Sequence, residues 1–383
     1  MAPSFFIIDP SKRCEPSAYL FTRAVNFFLA NGYVPAGDVE ESDIVLVNSC
    51  CVTEDKIATS RQALDAARAG GGGKQIVLLG CLAELPPDGP EPENLIRIGP
   101  HCLDRLQDHF AYRIPLDRIE THQLPPVFYE PGQGLGYRDY FVMIAQGCAN
   151  GCSYCNIRRA KGDVRSRHPE TIRAEIRQGL SAGVKEFALL ADDCASYGRD
   201  LGTDLAALLE DIFAVADGFR VKLGYLFPRF VLTHFDRLKG LFGTGRISYV
   251  NIPVQSGSQR ILDLMNRRYT AEAVREKVLQ LRDAAPETRF CTHLMINFPT
   301  ETEADFQASL VLADAFETAI FLNYSDNRGT AAADIYPKVS DEERRKRLDR
   351  ASDYVNRRGP GGGAVISDFN CDLPYNVTRE TGG

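Results

Sequence analysis

Three cysteines crowd the stretch Gln146-Gly147-Cys148-Ala149-Asn150-Gly151-Cys152-Ser153-Tyr154-Cys155. Thiols at i, i+4 and i+7 can converge within one short loop. A structural zinc site is normally closed by four ligands, and a cubane iron–sulfur cluster usually takes four thiolates. A trio therefore leaves one position to be filled from elsewhere. A zinc knuckle with a distant fourth ligand, or three space-filling buried cysteines, are the plainer alternatives. The run Phe141-Val142-Met143-Ile144 reads as a buried strand leading into the loop. A basic segment, Arg158 to Arg167, follows it. The thiols thus fall at the carboxyl end of a strand, where α/β barrels place their chemistry.

A second trio is scattered along the first hundred residues. Strands are predicted at 5–8, 44–47 and 76–79. Between them lie a helix with Phe21, Val25, Phe28 and Leu29 on one stripe and another over 54–69. This order implies a small parallel sheet. Cys14, Cys50 and Cys81 each come shortly after a strand, so all three share the sheet edge where open α/β sheets bind ligands. Each alone reads as a core cysteine; their shared edge makes a second three-thiol site.

Further along, strand and helix signals alternate. The helix at 170–182 carries Ile172, Ile176 and Leu180 on one face and stops at Gly183. Strands at 187–190, 221–226, 247–252, 289–296 and 319–323 join 141–144 to give six βα units, a partial barrel. The expected organisation is α/β. A small parallel-sheet domain (1–113) leads through a Pro- and Gly-rich linker (114–137) to a partial, six-unit TIM-like barrel (138–356) and a tail (357–383).

Composition narrows the chemistry. The chain has 383 residues, 44% hydrophobic and 25% charged, as in ordinary globular proteins. No apolar run approaches the ~18–20 residues that span a bilayer, and the N-terminus lacks a signal peptide's pattern. The expected location is cytoplasmic, with no membrane partner. Eleven cysteines in that compartment favour metal or redox chemistry over disulfides. Six His and no Trp weaken a histidine-based zinc or hydrolytic site. A net charge of −7 argues against broad attraction to nucleic acid, though a local basic groove is compatible with it. Walker, GxSxG, HExxH and dinucleotide motifs are lacking; Gly70 to Gly73 reads as a linker.

The string YFVMIAQGCANGCSYCNIRRAKGDVRSR resembles the cluster loop of the radical S-adenosylmethionine (SAM) superfamily, and within it the methylthiotransferases. The resemblance implies two [4Fe–4S] clusters and S-adenosyl-L-methionine. Cys148, Cys152 and Cys155 would hold the catalytic cluster, with Tyr154 beside the last thiol. Cys14, Cys50 and Cys81 would hold the auxiliary one. SDIVLVNSCCVTEDKIATS and LLGCLAEL are similar to the family's second and third auxiliary segments. The first departs, with Arg13 and Ser17 where Gly and Asn are usual, which makes Cys51 a substitute candidate for Cys14. Asp192 and Asp193 match the "GQD" stretch, and Lys222 opens the "RLxYxxP" strand with Lys for Arg. IPVQSGSQRILDLMNRRYT puts Gln255 and Ser256 near cofactor or substrate. In LMINFPTETEADF, Asn297 and Thr300 replace glycines, implying a reshaped pocket.

The resemblance covers about residues 1–350, and an external electron donor of flavodoxin or ferredoxin type goes with it. The family's C-terminal TRAM-type β-barrel is not matched by the residues after 356. With the acidic balance, this favours sulfur insertion into a small molecule, such as a nucleoside or natural-product intermediate, with or without methylation. A transfer-RNA or ribosomal-protein methylthiotransferase without its accessory domain is the alternative. A sulfur or electron carrier without catalysis fits less well, since a carrier needs no cofactor pocket.

Overall fold

The computed structural model describes residues 2–10, 15–70, 73–87, 89–119, 121, 140–359 and 362–366. Its contacts divide the chain into two compact units. One comprises Met1–Arg138 with Asn156–Asp163, the other Asp139–Cys155 with Val164–Gly383. Cys14 and most of the expected linker lie outside the described residues.

The N-terminal unit is built on β1 (Ser4–Ile8), β2 (Val34–Pro35), β3 (Ile44–Ser49), β4 (Gln75–Gly80) and β5 (Leu95–Ile98). They pair in parallel in the order β2-β1-β3-β4-β5. Every residue of β3 is buried, because helices cover both faces of a central parallel strand. The three predicted strands are present; two short edge strands, β2 and β5, flank them. Helices Glu15–Ala30 and Glu54–Ala69 supply the crossovers. The first buries Phe21, Val25 and Phe28 as expected, whereas Leu29 is 46% exposed and leaves the stripe. The second is started by Thr53, whose side chain accepts from the Lys56 N–H.

The second unit holds β6 (Tyr140–Met143), β7 (Ala145–Gln146), β8 (Arg165–Ser166), β9 (Glu186–Leu190), β10 (Arg220–Tyr225), β11 (Ile247–Asn251), β12 (Arg289–Ile296), β13 (Thr318–Asn323) and β14 (Gly363–Ile366). Seven of these form one parallel sheet, ordered β14-β13-β12-β11-β10-β9-β6; β7 and β8 make a separate antiparallel pair. The six predicted strands are all in it. The seventh, β14, falls in the stretch expected as a tail and pairs Ala319 with Gly363.

Register explains the core. Val142, Leu189, Leu223, Val250 and Phe290 stand level on successive strands, all fully buried against the helices. Each such side chain contributes roughly 1.5–3 kcal/mol by leaving water. Alternate residues turn the other way, so His293 and Lys222 share the concave face with Cys291. Helix Pro169–Ser181 takes its Pro at the first turn, and Gly183, at φ +85°, ends it. All these parallel strands deliver their carboxyl ends, and the loops that follow, to one rim. Among the described residues no helix is long and apolar enough to cross a membrane.

Candidate functional site

In the barrel unit the three-cysteine loop leaves β6 and is pinned from several strand ends. Gly147, at φ +80°, donates its N–H to Asp192 Oδ2 at 2.9 Å. Ala149 N–H donates to Ser196 Oγ at 3.2 Å. Asn150 donates through Nδ2 to Cys148 Sγ (3.3 Å) and to Asp193 Oδ2 (2.7 Å). Beyond it, the Gly151 carbonyl accepts from Asn266 Nδ2 and the Ser153 N–H donates to the Met265 carbonyl. All three thiols are half-buried.

Asp193 is the knot of this web. Oδ2 also accepts from Ser196 Oγ (2.6 Å), while Oδ1 accepts the Ala195 and Phe227 N–H groups at 3.0 and 3.2 Å. Burial raises its carboxyl above the usual range, against these hydrogen bonds. Burial, with the Asp193 charge behind it, pushes the Cys148 thiol up to about 12. Metal ligation requires the thiolate, so a metal held by Cys148 would displace that proton.

Arg267 is a candidate site residue that the sequence reading does not single out. It is 4% exposed, yet Nη1 lies 3.3 Å from both Cys152 Sγ and Tyr154 Oη. Nε donates to Tyr269 Oη at 2.7 Å, Nη2 to the Pro253 carbonyl, and the guanidinium stacks 4.4 Å over Phe227. A fixed cation thus sits against a cysteine whose ligating form is an anion. Its sequence signal is membership of the family-like segment IPVQSGSQRILDLMNRRYT, where an arginine two residues before a tyrosine reads as any surface arginine. Tyr154 packs among Met265, Met295, Phe298 and Tyr324.

Gln255 stands at the carboxyl rim in a left-handed conformation (φ +77°), its backbone bridging the His293 carbonyl and the Met295 N–H. Its Oε1 is buried without a hydrogen-bond partner, as are Gln146 Oε1 and Asn297 Oδ1. Such orphaned acceptors cost free energy unless a donor reaches them. Two expected residues serve differently. Ser256 is fully buried, 3.4 Å from Ser309 Oγ, and accepts the Ser258 N–H. Lys222 pairs with Glu186, at the amino end of β9, at 3.1 Å and so points away from the rim. Asn297 and Thr300 both have positive φ (65° and 66°), so the glycines usual there answer a backbone requirement as well as a spatial one.

In the N-terminal unit the structure gathers Cys50, Cys51 and Cys81. Cys50 leaves β3 with its N–H donating to Ser60 Oγ at 2.9 Å. Cys81 follows Gly80, whose φ is +101° and where a Cβ would stand 2.4 Å from the Ser49 carbonyl oxygen; glycine is required there. Burial, then the Cys81 charge, raises the Cys50 thiol to about 11. A hydrogen bond to Cys81, then burial, raises Cys51 further. The buried Lys161 ammonium opposes both. Among the described residues no three His, Cys, Asp or Glu side chains converge on one metal ion. A cubane, with one thiolate for each ligated iron, asks instead for thiols spread around it.

Comparison with known proteins completes the assignment. The family model "Radical SAM superfamily" matches residues 142–313, and "Uncharacterized protein family UPF0004" matches 14–95. A probable threonylcarbamoyladenosine tRNA methylthiotransferase from Pyrococcus horikoshii is 34% identical over 316 residues, 77% of this chain and 71% of that protein. The chain belongs to the radical SAM methylthiotransferase family. A tRNA-2-methylthio-N(6)-dimethylallyladenosine synthase from Moorella thermoacetica is 32% identical, covering 85% of this chain and 77% of its own. The ribosomal protein uS12 methylthiotransferase RimO of Thermodesulfovibrio yellowstonii is 29% identical, covering 82% and 74%. The solved structure of the radical SAM methyltransferase TsrM from Kitasatospora setae superposes with a TM-score of 0.55. At 15% identity, over 84% of this chain and 73% of that one, it shares the fold. These methylthiotransferases are named for macromolecular substrates, which overturns the expectation of a small-molecule substrate. Net charge misleads here: it sums over the whole chain and says nothing of a local surface.

Proposed function

We propose that this radical SAM methylthiotransferase acts on an N6-modified adenosine in transfer RNA, replacing a C–H by a C–S–CH3 group. The observation that carries the reading is the 34% identity to a tRNA methylthiotransferase over 77% of the chain. Cys148, Cys152 and Cys155 would hold a catalytic [4Fe–4S] cluster, and the Cys50–Cys81 edge, with Cys14, an auxiliary one. The fit is chemical: two groups of thiols, a buried arginine against one and a buried lysine near the other. The orphaned oxygens of Gln146, Gln255 and Asn297 are acceptors suited to the amino and hydroxyl donors of SAM. When bound, cluster and cofactor together supply an electron and a carbon radical.

The chain's own residues do the rest. Asn150 and Asp193 fix the loop, Arg267 balances thiolate charge, and the Tyr154 ring packs against Met265, Met295, Phe298 and Tyr324. Arg158 and Arg159, exposed on helix Ile157–Lys161, offer charge to RNA phosphates. A cytoplasmic site of action goes with this substrate.

The test is anaerobic incubation of reconstituted protein with SAM, a reductant and tRNA carrying the N6-modified adenosine. The expected product is that nucleoside with one methylthio group added, detected by mass spectrometry. Arg158→Glu with Arg159→Glu weakens tRNA binding and reduces its salt dependence, by about one unit of log–log slope for each phosphate no longer neutralised. Methylthiolation of a ribosomal protein, with tRNA untouched, contradicts the proposal.

A further inference from the structure

The family resemblance gives roles to Cys50 and Cys81 and leaves Cys51, the extra thiol of the Asn48-Ser49-Cys50-Cys51 run, only as a stand-in for Cys14. The structure nevertheless sets Cys51 closer to Cys81 than a bystander would be. The two thiols are hydrogen-bonded to each other. Both belong to one apolar cluster, walled by Val47, Ile57, Leu78 and Ala160. Cys51 is 2% exposed, and its carbonyl is held by Asn156 Nδ2 at 3.1 Å, so the residue is fixed at both backbone and side chain. The neighbouring Cys50 is anchored separately, its N–H and carbonyl both meeting Ser60 Oγ (2.9 and 3.2 Å). Lys161, 2% exposed, brings a positive charge to this group.

We propose that Cys51 is an iron ligand of the N-terminal cluster, paired with Cys81 across the carboxyl edge of β3 and β4. The inference rests on the reading of this unit as the holder of a second cluster. Cys51 and Cys81 in contact, with Cys50 next along the chain and the buried Lys161 charge acting on Cys50 and Cys51, would form an anionic ligand set with its countercharge supplied. Filling space among these aliphatic walls needs only small apolar side chains, so packing two sulfurs together there answers a chemical need rather than a steric one. Cys51 would thus complete the set with Cys50 and Cys81, in the place that the resemblance gives to Cys14.

The experiment is anaerobic reconstitution of the full chain with ferrous iron and sulfide. Iron is counted, and electron paramagnetic resonance spectra recorded, for wild type, Cys51→Ala, Cys51→Ser and Cys81→Ala. Wild type is expected to hold about eight irons and Cys51→Ala about four, as loss of one cubane requires. Survival of the cluster signal from Cys148, Cys152 and Cys155 in each variant shows that the protein has folded. Cys51→Ser either loses the same cluster or keeps it with a shifted spectrum, an oxygen having replaced sulfur; both support the assignment. Eight irons and an unchanged spectrum in both Cys51 variants overturn it. If Cys81→Ala also keeps eight irons, the second-cluster reading itself fails; if only Cys81→Ala loses four, the failure is confined to Cys51.

Discussion

Arg267 sets a buried positive charge against one of the three thiols of the barrel loop. A cation held 3.3 Å from Cys152 Sγ favours the reduced state of a cluster bound there, because reduction adds negative charge. Arg267→Met should therefore move the midpoint potential of that cluster to more negative values and weaken its retention. A charge-assisted hydrogen bond of this kind contributes about 1.5–3 kcal/mol. A redox titration followed by paramagnetic resonance checks the shift, and an unchanged potential would contradict the role. His293 tests a different part of the concave face. It stands 2.9 Å from Asn251 Nδ2, and burial takes it from the usual 6.5 down to about 4. The unfolded chain takes up this proton below 6.5 and the folded chain only near 4, so stability falls as pH drops through that window. The loss amounts to roughly 3 kcal/mol. Chemical unfolding of His293→Gln across the window should show that slope removed.

At the scale of elements, the turn from β12 into helix Glu303–Ala313 stores strain and offsets it with a cap. Thr300 holds φ +66°, unfavourable for a β-branched residue by about 1–2 kcal/mol. Arg260 hydrogen-bonds its Oγ1 and carbonyl at 2.9 and 2.8 Å. Asp305 closes a capping box with Thr302, and hydrogen bonds from Ser258 and Arg260, with the cap, hold its carboxyl down at about 2 against burial. Its stabilisation is present above the ordinary carboxylate range and is lost as pH falls towards 2. Thr300→Gly should gain up to about 1 kcal/mol, the relief of the left-handed threonine less its lost hydrogen bond. Asp305→Ala should cost about 1–2 kcal/mol. Thermal unfolding of the pair measures both signs.

The strands of these elements were legible because buried parallel strands read as continuous apolar runs, as Ile44-Val45-Leu46-Val47 and Phe141-Val142-Met143-Ile144 do. The edge strands were not. Val34–Pro35 is two residues long and Gly363–Ile366 opens on glycine, so their pairing is decided by the neighbouring strand rather than by their own pattern. The cysteine loop was legible by spacing. What the spacing could not give was direction: that Lys222 turns towards Glu186, that Ser256 is spent on Ser309, and that Cys51 meets Cys81. Those are facts of packing, and a linear pattern carries edges and periods only.

Taken as a whole, the molecule is two α/β units, each bringing cysteines to the carboxyl edge of a parallel sheet. The family assignment makes it a radical SAM enzyme, and each edge is expected to bind its own cluster. Iron and acid-labile sulfide counts on the anaerobically reconstituted full chain, for wild type and for the Cys148→Ala, Cys152→Ala, Cys155→Ala triple variant, test this most directly. Two independent cubanes predict about eight irons falling to about four in the triple variant, with the remaining cluster unable to support SAM cleavage. A wild type that takes up four irons or fewer, or a triple variant that keeps all eight, would contradict it.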